Sequence, residues 1–353
     1  TWPPAGRRWQ RSLAEAIHTS VRKHLITGGA GFIGYHLAQR LLDAGDEVHL
    51  VDDLTRGRLD PSLAALLESD HVRLIRADLS DPRALEAVDS DYNCIYHLAA
   101  VLGVRNVMER PDRVLSVNAR TVLNVVEWFV GSTAEKLFFA STSEAYAWTM
   151  RFHPLPIPTP EEVPLAVDDV RNRRATYAVS KAFGEMAVIH GCERAGKPYA
   201  IGRYHNVYGP RMGMEHVVPE LYRRIYDGQS PLVVYSVADE RAFCYVDDAI
   251  DATLSLVAEA EPTGVFNIGN EEGLTSIGQL AQTMLEIAGC GERHIESRQA
   301  GVPGIARRSP DTSRIRAAVG YRPRVSLREG LTRTMEAYRA DFERTSGGQE
   351  DSA

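Results

Sequence analysis

Tyr177 and Lys181 stand as Tyr-x-x-x-Lys downstream of Ser141-Thr142-Ser143-Glu144, and together these residue types suit the oxidation of a secondary alcohol. Four apart on a helix, phenol and ammonium share a face, and the positive charge favours phenolate. Tyr177 is therefore a candidate base near neutral pH, with the short hydroxyl of Thr142 placed to bridge the proton. Hydride must leave the same carbon, which requires an acceptor such as a nicotinamide. Glu144 is a carboxylate that simple alcohol oxidation does not use, and Ser143 separates it from Thr142.

A place for the acceptor lies upstream. The apolar run at Leu25-Ile26 enters Thr27-Gly28-Gly29-Ala30-Gly31-Phe32-Ile33-Gly34, after which Ile33, Leu37 and Leu41, with Ala38 and Leu42, take helical spacing. Strand, glycine turn and helix in this order form a dinucleotide cradle. Gly28 allows the tight turn, Gly31 lets backbone approach a pyrophosphate, and Gly34 lets the helix pack on the strand. The helix opened by Phe32 and Ile33 offers its N-terminal donors to phosphate. A second strand, 47–51, ends in Asp52-Asp53, and Asp52 has the spacing of a carboxylate that accepts from an adenosine ribose diol. Such a carboxylate repels a 2′-phosphate, so NAD is expected rather than NADP, although Arg56 and Arg58 follow closely.

Further apolar runs must carry the remaining residues into place. Val72 to Ile75 leads to Asp78-Leu79, Cys94 to Tyr96 leads to His97-Leu98-Ala99-Ala100, and Leu137 to Phe139 leads to Ser141. Helical patterns fall between them, which predicts an α/β fold with a parallel sheet covered on both faces and a ligand at the strands' carboxyl ends. Asp78 is a candidate for the adenine end or a helix cap before Pro82. Pro154, Pro156, Pro158, Pro160 and Pro164 mark an irregular insertion, read as a lid or as a surface loop.

The chain of 353 residues has room for two lobes, and its net charge of -7 with scattered signs argues against a nucleic-acid groove. Arg171, Arg173-Arg174 and Arg307-Arg308 read as solvated surface, while Tyr146 and Tyr208 read as packing aromatics. Cys94, Cys192, Cys244 and Cys290 form no Cys-x-x-Cys pair, so no disulfide framework and no metal site is expected, and His205 and His216 lack clustered partners. Reduced thiols suggest a cytoplasmic protein. No run is long and apolar enough to span a bilayer, and residues 1–20 lack a signal-peptide core. Trp9, Leu13, Ile17 and Val21 are spaced for a helix that packs on the body.

From Lys23 to Tyr338 the chain resembles the extended short-chain dehydrogenase/reductases, specifically the NAD-dependent nucleotide-sugar epimerases, dehydratases and decarboxylases. The resemblance rests on the glycine turn, Asp52, Asp78, His97-Leu98-Ala99-Ala100, Val117-Asn118, Ser141 to Glu144 and Tyr177 to Lys181. It continues through Asn206-Val207-Tyr208-Gly209-Pro210, Arg241-Ala242-Phe243, Tyr245-Val246-Asp247-Asp248 and Phe266-Asn267-Ile268-Gly269. It implies a Rossmann doubly wound parallel sheet over 22–205, with 241–272 returning to it. A smaller C-terminal substrate-binding lobe would comprise 206–240 and 273–340, between an N-terminal extension (1–21) and a polar tail (341–353). The NAD contacts implied are Gly28, Gly31, Phe32, Ile33, Gly34, Asp52, Asp53, Asp78, Leu79, Leu98, Ala99, Ala100, Asn118, Tyr177 and Lys181. A nucleotide-diphosphate sugar would meet Asn206 and Arg241, and a homodimer would form through helices near 114–130 and 176–194.

Glu144 discriminates among reactions within this group. Simple 4-epimerases usually have no carboxylate there, and 4,6-dehydratases carry an aspartic acid where this chain has Ser143. Uronate decarboxylases share Thr-Ser-Glu and an arginine in Arg-Lys-Pro-Asp, matched here by Arg308-Ser309-Pro310-Asp311. The resemblance thus implies decarboxylation of a UDP-uronic acid, of the UDP-glucuronate to UDP-xylose type. Thr142, Ser143, Glu144, Tyr177 and Lys181 would be catalytic, and Glu144, Asn206, Arg241 and Arg308 would hold the sugar. Epimerisation, dehydration and an NAD-sensing module are the alternatives. Ser236 to Glu240 lacks the glycines usual in the group, Ala147 and Ser309 replace its Gly and Lys, and Met212 to His216 replaces a basic stretch, which leaves sugar and base open.

Overall fold

The computed structural model describes residues 21–258, 263–299 and 305–347, so the expected Trp9-Leu13-Ile17 helix and the last residues of the tail lie outside it. Seven parallel strands form the main sheet: β1 (Lys23–Thr27), β2 (Glu47–Asp52), β3 (Val72–Arg76), β4 (Cys94–His97), β5 (Lys136–Thr142), β6 (Tyr199–Tyr204) and β11 (Gly264–Ile268). Their spatial order, β11-β6-β5-β4-β1-β2-β3, reverses between β1 and β4, which opens a crevice beyond the carboxyl ends of those two strands.

Alternation along the strands divides the core. Leu25, Leu137 and Phe139 face Val125 and Phe129 of helix α2 (Pro111–Gly131) and Val188 of α3 (Ala175–Ala195). Ile26, Phe138 and Tyr204 face the other way, onto α1 (Phe32–Asp43) and α5 (Val246–Ala258). That second core runs on without a break through Phe243, Met284 and Tyr338, so the sheet and the small lobe share one apolar interior. The lobe is thereby fixed against the sheet by burial.

Among the described residues, three small sheets build the lobe. β7 (Val207–Tyr208) pairs with β10 (Cys244–Tyr245), β8 (Leu232–Tyr235) with β13 (Ile295–Arg298), and β9 (Glu240–Ala242) lies between β12 (Leu274–Ser276) and β14 (Arg307–Arg308). Helices α4 (Val217–Tyr226), α6 (Ile277–Ile287) and α7 (Leu327–Gly347) cover them. The return to the main sheet differs from the expected boundary at 241. Both edges of β9 are occupied by lobe strands, so Arg241 stays in the lobe, and α5 and β11 are the elements that go back.

The proline-rich segment is anchored at both ends and is not an inert loop. Thr159 N donates to Ser309 O at 2.9 Å and Asp311 N donates to Thr159 O at 2.9 Å, forming a bridge to the segment just after β14. Thr149 Oγ1 holds the other end, donating to Pro164 O at 3.0 Å and accepting from Ala166 N at 2.8 Å.

Candidate active site

At the glycine turn the backbone itself makes the cradle. Gly28 has φ +71°, and a Cβ there would lie 2.9 Å from Ala99 N, so glycine lets the turn press against Leu98 and Ala99 after β4. A Cβ at Gly34 would collide with the carbonyl of Gly28. Helix α1 starts at Gly31 with no side-chain cap and no acid in its first turn, which leaves the N–H groups at Phe32 and Ile33 for an outside acceptor. Thr27 Oγ1 is 2.7 Å from His97 Nδ1 and accepts from Ala99 N at 3.2 Å, locking β1 to β4 at the crevice.

Asp52 accepts from Ala30 N at 3.0 Å and Leu54 N at 2.8 Å, so the acid also organises the turn. Burial raises its pKa against the pull of those two bonds. A carboxylate has about four lone-pair sites, so two remain for a ribose diol. The exposed Asp53 caps Thr55 N at 2.8 Å, and Asp78 caps Ser80 N at 2.9 Å. The helix cap before Pro82 is Asp81, which accepts from Arg83 N at 3.0 Å, rather than Asp78. Leu79 O accepts from Asn124 Nδ2 at 2.8 Å. The uncapped helix start and the remaining acceptor sites of Asp52 fit a bound dinucleotide.

Sequence reasoning passed over Arg211, which ties the lobe to this cradle. It pairs with Asp60 and donates to Ala30 O at 3.3 Å, while His36 Nε2 lies 2.9 Å from Pro210 O. An arginine following Gly209-Pro210 is the sequence signal that marks it.

Tyr177 and Lys181 share a face of α3, as their spacing predicts, at the carboxyl end of β5. Thr142, the last residue of β5, sits beside the Tyr177 phenol and accepts from Glu144 N at 3.2 Å. Asn118 pins the helix to the loop after β4: its Oδ1 accepts from Val101 N at 2.7 Å, and its Nδ2 donates to Val101 O and Ser180 Oγ, each at 3.0 Å. The expected electrostatics need correction. Burial, then the charge of Glu144, hold Tyr177 above the ordinary phenol range, and the cation that opposes them is Arg56. Lys181 donates to Ala140 O at 2.7 Å, and burial lowers it to about 8, which weakens the expected help from its ammonium.

Glu144 and Arg308, 164 residues apart, form an ion pair between the single helical turn Glu144–Ala147 and β14. Parallel pairing puts Arg308 opposite Arg241 on β9, so two guanidinium-bearing positions lie side by side. Burial alone would raise Glu144; the charge and hydrogen bond of Arg308, with Arg174 and Arg241 beyond, outweigh it and hold the carboxyl below its ordinary value. Arg308 thus pairs with Glu144 and Arg174 lies near enough to act on its charge, so neither is the isolated solvated charge expected from its basic neighbours. Arg241 is lowered to about 10, by burial first and by Arg308 second, and is paired with Asp239 at 3.1 Å. Ser143 is buried, its N–H donating to Tyr204 O at 3.0 Å. Asn206, at φ 41°, donates to Ala242 O at 3.1 Å and so steadies the strand that carries Arg241.

Tyr146 and Tyr208 are less simple than packing aromatics. Tyr208 Oη donates to Leu327 O at 3.3 Å, and Tyr146 joins a buried polar chain in which Arg203 pairs with Glu185 at 2.6 Å. Glu185 in turn accepts from Ser141 Oγ at 2.5 Å.

Fold and site together define a Rossmann enzyme that moves hydride with a dinucleotide. Residues 24–269 match the NAD dependent epimerase/dehydratase family, and the chain belongs to it. It is 30% identical over 332 residues to UDP-N-acetyl-alpha-D-glucosaminuronate decarboxylase of Bacillus cytotoxicus, covering 90% of this chain and 98% of that protein. It is 31% identical to UDP-glucuronic acid decarboxylase 5 of Arabidopsis thaliana, covering 89% of each. The dTDP-glucose 4,6-dehydratase DesIV of Streptomyces venezuelae, solved with NAD bound, superposes with a TM-score of 0.80 at 25% identity, over 90% of this chain and 97% of that one. The protein is an NAD-dependent enzyme of nucleotide-sugar chemistry. Among the described residues no helix is long and apolar enough to cross a membrane.

Proposed function

We propose that the enzyme decarboxylates a UDP-uronic acid through a transient 4-keto sugar. The observation that carries this reading is the Glu144–Arg308 ion pair beside Arg241, next to a buried serine where a dehydration needs an acid. When bound, NAD would supply the hydride acceptor and donor for C4. Gly28, Gly31, Gly34 and Asp52 would hold it, with Leu98, Ala99, Ala100, Asn118 and Lys181 beside the reacting end.

Tyr177 removes the C4 hydroxyl proton, relayed by Thr142. In the resulting β-keto acid the C5–C6 bond breaks, its electron pair moves into the C4 ketone as an enolate, and carbon dioxide leaves. No acid at Ser143 is required, because no hydroxide departs. A proton then adds at C5, and Tyr177 returns the other proton to the C4 oxygen. Arg308 and Arg241 bring two positive charges to a substrate that carries a diphosphate and a carboxylate, and arginine forks suit both groups. Glu144, kept ionised by Arg308, balances the arginines and orients the sugar.

Incubation with UDP-glucuronate, with a UDP-N-acetylglucosaminuronate and with UDP-glucose tests this by product mass. Loss of one carbon dioxide from a uronate is expected. Loss of water, or an isomer of unchanged mass, would overturn the reading in favour of dehydration or epimerisation.

The chain also forms a homodimer in this reading. Val179, Phe183 and Met186 line one face of α3 and are each more than a third exposed, with Leu115 and Leu123 similarly exposed on the neighbouring α2. Light scattering should give twice the chain mass, reduced to one chain by Phe183→Asp. A wild-type protein at one chain mass contradicts the dimer.

A further inference from the structure

Asn267, near the end of β11, is fully buried, and all its side-chain hydrogen-bonding capacity is used. Its Nδ2 donates to Thr159 O at 2.9 Å and to Asp311 O at 3.0 Å. Its Oδ1 accepts from Tyr146 Oη at 2.8 Å and lies 3.0 Å from His205 Nε2. An amide offers two donors and two acceptor lone pairs, so the side chain is saturated. Burial lowers His205 to about 3, so the ring is neutral and its single proton belongs on Nε2, facing Asn267. The backbone N–H of Asn267 also donates to Glu161 at 2.7 Å.

These partners lie in four separate stretches of chain, with His205 just after β6. Tyr146 follows Glu144 by two residues on the same helical turn, and Asp311 follows Arg308 by three. Thr159 and Glu161 belong to the proline-rich segment, which itself bridges Ser309 and Asp311. One buried amide therefore grips the elements behind both members of the Glu144–Arg308 pair, and touches neither of the pair itself.

We propose that Asn267 is a positioning residue that sets the register at which Arg308 meets Glu144. Its effect on turnover rests on the decarboxylase reading, but its effect on the segment after β14 does not. Aspartate cannot replace it, since a carboxylate would face the two carbonyls of Thr159 and Asp311 without a proton for either.

The test compares Asn267→Leu and the milder Tyr146→Phe with wild type, all as NAD-loaded enzyme. With a UDP-uronate, carbon dioxide release by Asn267→Leu should fall about a hundredfold, the scale for a misplaced site, while single-turnover NADH formation stays within about twofold. NADH should then accumulate. Tyr146→Phe, which removes one hydrogen bond, should act in the same direction by about threefold to tenfold. Without substrate, amide exchange at Thr159 and Asp311 should quicken in both variants. A proportional fall in NADH formation and carbon dioxide release, or unchanged exchange, would overturn the role of Asn267. If wild type releases no carbon dioxide, the decarboxylase reading fails and exchange alone decides on Asn267. If Asn267→Leu does not fold, Tyr146→Phe decides by the same two readouts.

Discussion

Around the glycine turn, the contacts that shape the site each end on a backbone atom close in sequence or on an adjacent strand: the Asp52 carboxylate on Ala30 and Leu54, the Thr27 hydroxyl on Ala99, Gly34 against Gly28. Around Glu144 the contacts are side-chain bonds between distant segments, with Arg308 on β14, Asp311 beyond it, Thr159 in an irregular segment and Asn267 at the sheet's end. The cofactor half thus depends on what the backbone permits, and the substrate half on a polar network that must be complete to be stable. The reaction can change by altering the second half while the first stays as it is.

The sharpest break should come where the halves meet. Tyr177→Phe removes the proton carrier shared by oxidation and reduction, and kcat should fall by about a thousandfold, with NAD content unchanged on extraction. Loss of NAD along with activity would mean that the tyrosine belongs to the cradle alone. Next, Arg308→Gln leaves Glu144 without its partner, and carbon dioxide release should drop about a hundredfold, with Arg308→Lys recovering only part because lysine lacks the fork. NADH formation from the same sugar should change much less. Gly34→Ala attacks the other half: the methyl group meets the Gly28 carbonyl, and overpacking of this kind costs about 1–3 kcal/mol. A lower thermal midpoint and reduced NAD occupancy are expected, without a change in product identity.

The smallest effect should be common to both halves. His97 beside Thr27 and His205 beside Asn267 are each lowered to about 3, by burial. Between that value and the ordinary 6.5 the unfolded chain binds protons that the folded chain refuses, so stability is full above about 6.5 and declines as pH falls through this window. Urea midpoints at pH 7 and pH 5 should show the decline, and His97→Asn and His205→Asn should each make it shallower. Midpoints independent of pH would contradict neutral burial of both rings.

The difference between the halves also explains what could be read before the fold was seen. Glycines, Asp52 and the Tyr177–Lys181 spacing follow local rules of strand, turn and helix, so their positions were legible from the chain. Arg308 was legible through its neighbours in sequence, but not its closure on Glu144, which depends on β14 finding β9. Arg174 and Arg307-Arg308 looked alike as basic clusters, and only partial burial near Glu144 separates Arg174 and Arg308 from surface charge. Asn267 lies in the Phe266-Asn267-Ile268-Gly269 motif without a legible role, because four partners from four segments leave no periodic trace. The proline-rich segment could not be read either, since prolines say where regular structure stops and nothing about what the segment will bind.

The central claim is that oxidation at C4 is followed by loss of the C5 carboxylate at a site held by Glu144 and Arg308. Turnover of UDP-glucuronate in deuterium oxide, read by product mass, tests it most directly. The product should be lighter by one carbon dioxide and carry one carbon-bound deuterium, at C5. A product of unchanged mass with no carbon-bound deuterium would contradict the account and mark a 4-epimerase.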